Sequence, residues 1–229
     1  MTRTMKIIAP LVVAAGLLAA CGPLANTESP TRAALAGLSG LLGGGAQDAA
    51  VPSDPRRDLT RDIIEASRPA DLMLVVLPVR DAAATATRIG DNRGKSTWIT
   101  PDGIGLTFAD GLLIATRGLG DDLMGADVRD TAAALQTMLQ NGGTSVRIHD
   151  YLNGMDQTER MSFQCVVSPA GNTRITIYQR TYPVRKVEEN CVTSSGQFTN
   201  TYWIEPNGTV RQSKQWISQR IGYIEIQRL

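Results

Sequence analysis

Two Asp-Gly pairs eight residues apart, Asp102-Gly103 and Asp110-Gly111, constrain this chain more than any other feature. Apolar segments flank them: Trp98-Ile99 before the first, Ile104, Leu106 and Phe108 between them, and Leu112-Leu113-Ile114 after the second. Asp-Gly between alternating apolar segments marks a two-residue hairpin turn, because both turn residues must reach positive φ. Two such turns in succession predict a three-stranded antiparallel meander.

The remaining sequence extends the pattern. Leu72 to Leu77, closed by Pro78, reads as a buried strand. Val146 and Ile148 alternate ahead of a turn at Asn153-Gly154, and Met161, Phe163, Cys165 and Val167 share one face before a turn near Gly171-Asn172. Ile175 and Ile177 follow on the next strand. Asn207-Gly208 joins Tyr202–Glu205 to Thr209–Trp216, and Ile224 and Ile226 mark a last strand. Two helices are expected. One starts at Asp54-Pro55, shows Leu59, Ile63, Ile64 and Ala66 on one face, and stops before Pro69; the other is capped by Asp130, carries Ala133, Leu135, Met138 and Leu139, and ends at Gly142-Gly143. With no βαβ alternation, the predicted class is mainly β: an antiparallel β-sandwich or barrel-like sheet with two short peripheral helices.

The N-terminus reads as an address. Arg3 and Lys6 precede an apolar run from Ile7 to Ala15, shorter than the roughly 20 residues that span a bilayer, and matching a signal-peptide core. The run continues into Leu18-Ala19-Ala20-Cys21, which resembles a bacterial lipobox. That resemblance implies diacylation of the Cys21 thiol and cleavage before it. The alternatives are an ordinary secretory signal with an incidental cysteine, or an N-terminal transmembrane anchor. Loss of Arg3 and Lys6 turns the formal charge from +1 to −1. Gly22, in place of the aspartate that retains enterobacterial lipoproteins in the inner membrane, points to the outer membrane. The stretch Ala33 to Ala50 is rich in glycine and alanine and includes Gly43-Gly44-Gly45. It reads as a flexible tether with a root-mean-square reach of roughly 30 Å over about 33 residues. The expected organisation is a signal peptide at 1–20, a lipidated N-terminus and tether at 21–54, and a β domain at 55–229.

Composition excludes several functions. One histidine and three cysteines cannot build the usual His/Cys zinc sites, and a near-neutral charge leaves no basic footprint for nucleic acid. No metal and no cofactor is expected. With Cys21 lipidated, Cys165 and Cys191 remain as an even pair in an oxidising compartment, where a disulfide between them is expected; two buried thiols are the alternative.

Catalytic signals are sparse. His149 and Asp150 are neighbours that a strand would point to opposite faces, so they are not a ready-made dyad. There is no Gly-x-Ser-x-Gly elbow. Asp121-Asp122 fits a polar turn, and the Gly-x-Gly at 103–105 lacks the third glycine and βαβ context of a nucleotide fingerprint. The aromatic residues are concentrated after residue 150. Tyr202, Trp203 and Trp216, with Arg211, Gln212 and Lys214 nearby, are a candidate surface for glycan or a protein partner, because sugar C–H faces pack on aromatic planes. Core aromatics of a β-sheet are the competing reading.

The segment Trp98 to Gly103, and then Leu106 through Asp110-Gly111-Leu112-Leu113-Ile114-Ala115-Thr116-Arg117-Gly118-Leu119 to Asp121-Asp122-Leu123, resembles the YjbF/GfcB family of capsule and exopolysaccharide lipoproteins. Asn200 to Trp203, Gly208-Thr209-Val210 and Ser213 to Trp216 resemble the end of that family's sequence, so the likeness spans roughly residues 55–229; the long glycine-rich tether departs from it. The resemblance implies a mainly antiparallel β fold, no transferable catalytic residue, and one functional position, Cys21. It further implies an outer-membrane lipoprotein facing the periplasm that assists exopolysaccharide or capsule export or assembly without catalysing a reaction. Its partners would be the membrane, through the lipid, and a polysaccharide or an export-machinery protein. An envelope assembly factor that binds an outer-membrane protein is the alternative. A polysaccharide-modifying enzyme would need two carboxylates about 5–9.5 Å apart in a cleft. Oligomeric state is left open.

Overall fold

A computed structural model describes residues 54–67, 71–137 and 143–229. The expected signal peptide, lipidation site and tether lie outside these residues, as do Met138 and Leu139 of the second expected helix.

Twelve strands form one antiparallel sheet: β1 (Leu72–Leu77), β2 (Ala82–Asn92), β3 (Lys95–Ile99), β4 (Gly105–Ala109), β5 (Leu112–Arg117), β6 (Gly125–Asp127), β7 (Gly143–Leu152), β8 (Thr158–Ile177), β9 (Arg180–Thr193), β10 (Gly196–Ile204), β11 (Val210–Ser218) and β12 (Gly222–Arg228). Each strand pairs with its neighbours in sequence, except that β5 and β6 do not pair and β1 instead pairs with β12, Val75 opposite Ile226. The chain therefore runs round an almost closed barrel whose break lies between β5 and β6.

The meander is as the Asp-Gly pairs predict: β3, β4 and β5 are joined at those two turns. They differ in detail. Asp110 and Gly111 both take positive φ, 51° and 82°, as a two-residue hairpin requires. In the first turn only Gly103 does so, at 88°, and the longer loop closes through Thr100 N–H to the Ile104 carbonyl at 3.0 Å.

The barrel's first half is filled by Met73, Val75, Trp98, Leu106, Phe108 and Leu113 against Ile217, Ile224 and Ile226 of the last two strands. Full burial of each large apolar side chain contributes about 1.5–3 kcal/mol. A second cluster joins Leu112 and Ile114 of β5 to Tyr202 and Val210, so β5 folds over the inner surface of β10 and β11.

Several expectations need correction. The first helix is two: α1 (Pro55–Asp58), capped by Asp54, and α2 (Arg61–Ala66), capped by Thr60. Thr60 holds the Ile63 N–H with its side chain, which restarts the helix after Leu59 takes an extended conformation. With α3 (Arg129–Thr137) the described residues hold three α-helices rather than two. Gly171-Asn172 is no chain reversal; β8 runs through it as a bulge between Pro169 and Asn172, with Gly171 at φ 99°. The reversal comes at Tyr178-Gln179, both at positive φ. Cys191 accordingly sits near the end of β9. β2 was not legible because Ala82 to Ala86 has no apolar alternation; Ala86 packs fully buried opposite Met73 by virtue of its small size.

Candidate functional site

Two loci gather polar side chains: the seam and interior of the barrel, and a cleft at its border.

The seam is built by the segment after β5. Asp122 accepts hydrogen bonds from Thr116 Oγ1 at 2.7 Å and from the N–H groups of Gly118 at 2.9 Å and Leu119 at 3.2 Å. Thr116 N–H donates to the Leu123 carbonyl at 2.9 Å, and Leu123 N–H donates back to Thr116 Oγ1 at 3.0 Å. Arg117 spans the break, donating to the carbonyls of Leu123 at 3.2 Å and Met124 at 3.0 Å. Asp121-Asp122 is thus a structural turn that holds β5 beside the entry to β6.

The interior holds one buried carboxylate among the described residues, Glu189 of β9, which is 0% exposed. It accepts from Thr131 Oγ1 at 2.6 Å, Asn200 Nδ2 at 2.8 Å and the Tyr202 hydroxyl at 2.7 Å, and stands 3.5 Å from Arg147 Nε. Burial opposes charge on Arg147, but Glu189 and two tyrosines outweigh it and raise its pKa. Burial, and then Glu189, push the Tyr202 hydroxyl well above its ordinary range. His149, two residues from Arg147 on the same face of β7, packs against the rings of Phe163 and Phe198, which also touch each other, with Nδ1 2.9 Å from the Tyr151 hydroxyl. Burial, reinforced by Arg147, holds its imidazole neutral. Asp150 points the other way and pairs with Arg160 at 2.8 Å, as strand alternation requires. A sealed carboxylate whose oxygens are all engaged can orient its neighbours but cannot reach a substrate.

Cys165 and Cys191 are directly opposite in the β8–β9 register and are joined by a disulfide. Glu189 lies within 4.8 Å of the two sulfurs, but the disulfide removes them as metal ligands.

The aromatic surface does not assemble. Tyr202 and Trp203 are neighbours on β10 and so face opposite sides; Tyr202 is fully buried on Glu189. Trp203 packs, partly buried, against Ile177, Tyr182 and Val184. Trp216 belongs to another cluster, stacked on Phe198 at 5.8 Å and edge-on to Tyr223 at 5.2 Å. Arg211 is occupied by an ion pair with Glu205 and lies over the Tyr182 ring at 4.3 Å from its centroid. These side chains pack the sheet in separate places rather than presenting one platform.

Sequence reasoning missed a cleft of about 1050 Å³ walled by the β2–β3 hairpin, the β4–β5 turn, α3, the middle of β8 and β9, the β10–β11 turn and the end of β12. Arg88, Arg185 and Arg228 bring cations to it, Asp91, Asp110 and Glu205 bring carboxylates, and Gln136, Asn172 and Asn207 bring amides. Among the described residues no aromatic ring lines it. Its residues run from 88 to 228 in the sequence, so no local motif marks it. The Asp110-Gly111 and Asn207-Gly208 turns, both visible in the sequence, meet at its border.

Fold and site together define a barrel-like β-sheet protein with a sealed polar interior and an open cleft lined by polar and apolar side chains alike. A family model described as "Group 4 capsule polysaccharide lipoprotein gfcB, YjbF" matches residues 44–229, and the chain belongs to that family. It is similar to the uncharacterized lipoprotein YjbF of Escherichia coli K12, 26% identical over 127 residues that cover 54% of this chain and 58% of that protein. The alignment thus spans little more than half of that relative's length. Among solved structures it is similar to the hypothetical lipoprotein YmcC of Escherichia coli K12, with a TM-score of 0.66 at 20% identity, over 81% of this chain and 97% of that one; this is a likeness of fold.

Proposed function

We propose that the protein is anchored through a lipidated Cys21 to the outer membrane, faces the periplasm, and assists exopolysaccharide or capsule export or assembly without catalysing a reaction. The observation that carries this reading is how the family-like segment is used. Thr116, Arg117 and Asp122 spend their polar groups on the turn that holds β5 beside the entry to β6. What that segment builds is therefore a structural turn rather than a reactive site, and the family's description as a capsule polysaccharide lipoprotein supports the capsule reading. Deleting the protein is expected to lower extracellular polymer while leaving its sugar composition and linkages unchanged. Altered linkages would instead indicate a modifying enzyme, and unchanged output under inducing conditions would sink the export reading.

An assembly role with a protein partner draws on a different feature: Val166 and Val192 are half exposed on one face of the adjacent strands β8 and β9. Co-purification of an outer-membrane protein that is lost on Val166→Ser, without any change in polymer output on deletion, would favour it.

A further inference from the structure

We propose that the cleft is a binding site for a carboxylate-bearing saccharide, with the Arg228 guanidinium as the group that takes the carboxylate. The proposal rests on the polysaccharide reading above and names the chemical class that the site would recognise.

Several of the charges around the cleft are already paired. Arg88 is tied to Asp71 at 2.6 Å and to Asp91 at 2.9 Å. Arg211, next in sequence to the cleft-lining Val210, is tied to Glu205, which itself lines the cleft. Arg228 has no carboxylate within 4.0 Å among the described residues, although it lies in the cleft wall and is partly buried. Its own carbonyl accepts from Arg211 Nη1 at 3.3 Å, which holds a second cation alongside. Burial lowers the pKa of Arg228; Asp71 and, more weakly, Glu205 offset part of that, and Arg211 and Arg88 add to it. A guanidinium in such surroundings gains from an incoming anion. Its planar fork matches a carboxylate with two parallel hydrogen bonds.

The rest of the lining decides between kinds of saccharide. Neutral sugars are held largely by stacking on aromatic planes, and no ring lines this cleft among the described residues. Recognition must come from charge and hydrogen bonds instead. The amides of Gln136, Asn172 and Asn207 each offer donors and an acceptor suited to sugar hydroxyls. About 1050 Å³ is at the upper end of small-molecule sites and suits several sugar units rather than one.

The test is calorimetric titration of the full chain carrying Cys21→Ser, which removes the lipid, with hexagalacturonate and with the neutral hexasaccharide maltohexaose. Hexagalacturonate is expected to bind saturably and to weaken with salt, with maltohexaose at least about tenfold weaker. Arg228→Gln is expected to lower hexagalacturonate affinity by about tenfold or more, the usual effect of losing one charged hydrogen-bonded pair, with an unchanged thermal midpoint. Arg228→Lys, which keeps the charge but loses the fork, is expected to fall between, and Arg220→Gln on an exposed turn to change nothing. No saturable binding of hexagalacturonate, equal binding of maltohexaose, or binding indifferent to Arg228→Gln would each overturn the proposal. A deletion strain that loses polymer while hexagalacturonate fails to bind removes the site and leaves the export reading standing; binding with unchanged polymer output does the reverse.

Discussion

Leu113 of β5 donates its backbone N–H to the side-chain oxygen of Gln215 of β11 at 2.8 Å, across 102 residues of sequence. The same amide donates from Nε2 to the Gly111 carbonyl at 3.0 Å and to Ser213 Oγ at 2.9 Å. At the edge where the sheet fails to close, one side chain thus does what a neighbouring strand does elsewhere. It satisfies the buried backbone of β5 and fastens the first half of the barrel over the second.

Gln215→Leu is expected to strand the Leu113 N–H and the Gly111 carbonyl in an apolar setting. Each unsatisfied group costs about 1–3 kcal/mol. A drop in the urea midpoint of that order, with little change in slope, is the expected outcome; a midpoint within error of the parent would show the bridge to be dispensable.

Gly111 and Gly103 make a controlled pair. Both have positive φ, but a Cβ at Gly111 would stand 2.6 Å from Val210 Cβ, whereas nothing lies within 4 Å at Gly103. Gly103→Ala should cost roughly 1–2 kcal/mol for the left-handed backbone alone. Gly111→Ala should add about 1–3 kcal/mol of overpacking. Equal thermal shifts for the two variants would mean that β5 does not press on Val210.

The buried His149 makes stability depend on pH in a definite direction. Burial and Arg147 hold its folded pKa well below the ordinary 6.5, so the unfolded chain takes up a proton that the folded chain refuses. This contribution is fully present above about pH 6.5 and is lost as pH falls below it, by up to ~1.4 kcal/mol per pH unit. Denaturant midpoints measured from pH 7 down to 5 should fall in the parent and fall less steeply in His149→Gln. Parallel curves would contradict the assignment.

The Cys165–Cys191 bridge spans a sequence separation of 26 residues. In the chain-entropy account, closing such a loop contributes about 3.5 kcal/mol. Unfolding of the Cys165→Ala/Cys191→Ala double variant should shift by an amount of that order, and adding reductant should shift the parent but not the variant. A parent that is indifferent to reductant and retains two titratable thiols would mean that no bridge forms.

What the sequence disclosed and what it withheld follow from range. The meander at Asp102-Gly103 and Asp110-Gly111, the buried strand at Leu72–Leu77 and the β7–β8 and β10–β11 turns depend on local backbone chemistry and were legible. The two-faced alternation that makes His149 and Asp150 face apart was legible for the same reason. Gly171 carries the same signal for a bulge as for a turn, since glycine at positive φ serves both. The true reversal, Tyr178-Gln179, uses residues that carry no turn signal; the Tyr178 hydroxyl donates to the Pro55 carbonyl, and Arg61 donates to the carbonyls of Ile177 and Tyr178, so tertiary contacts hold it. The tyrosine and tryptophans singled out as a surface are packed into the sheet, and the cleft emerges only when hairpins remote in sequence meet.

The central claim, a scaffold that works from the membrane to move polysaccharide outward, is tested most directly by measuring surface polymer in a deletion strain complemented with the parent chain or with Cys21→Ser. The parent is expected to restore surface polymer, and Cys21→Ser, present at equal level but unlipidated, is expected not to. Surface polymer unchanged by the deletion, or restored equally by both chains, would contradict it.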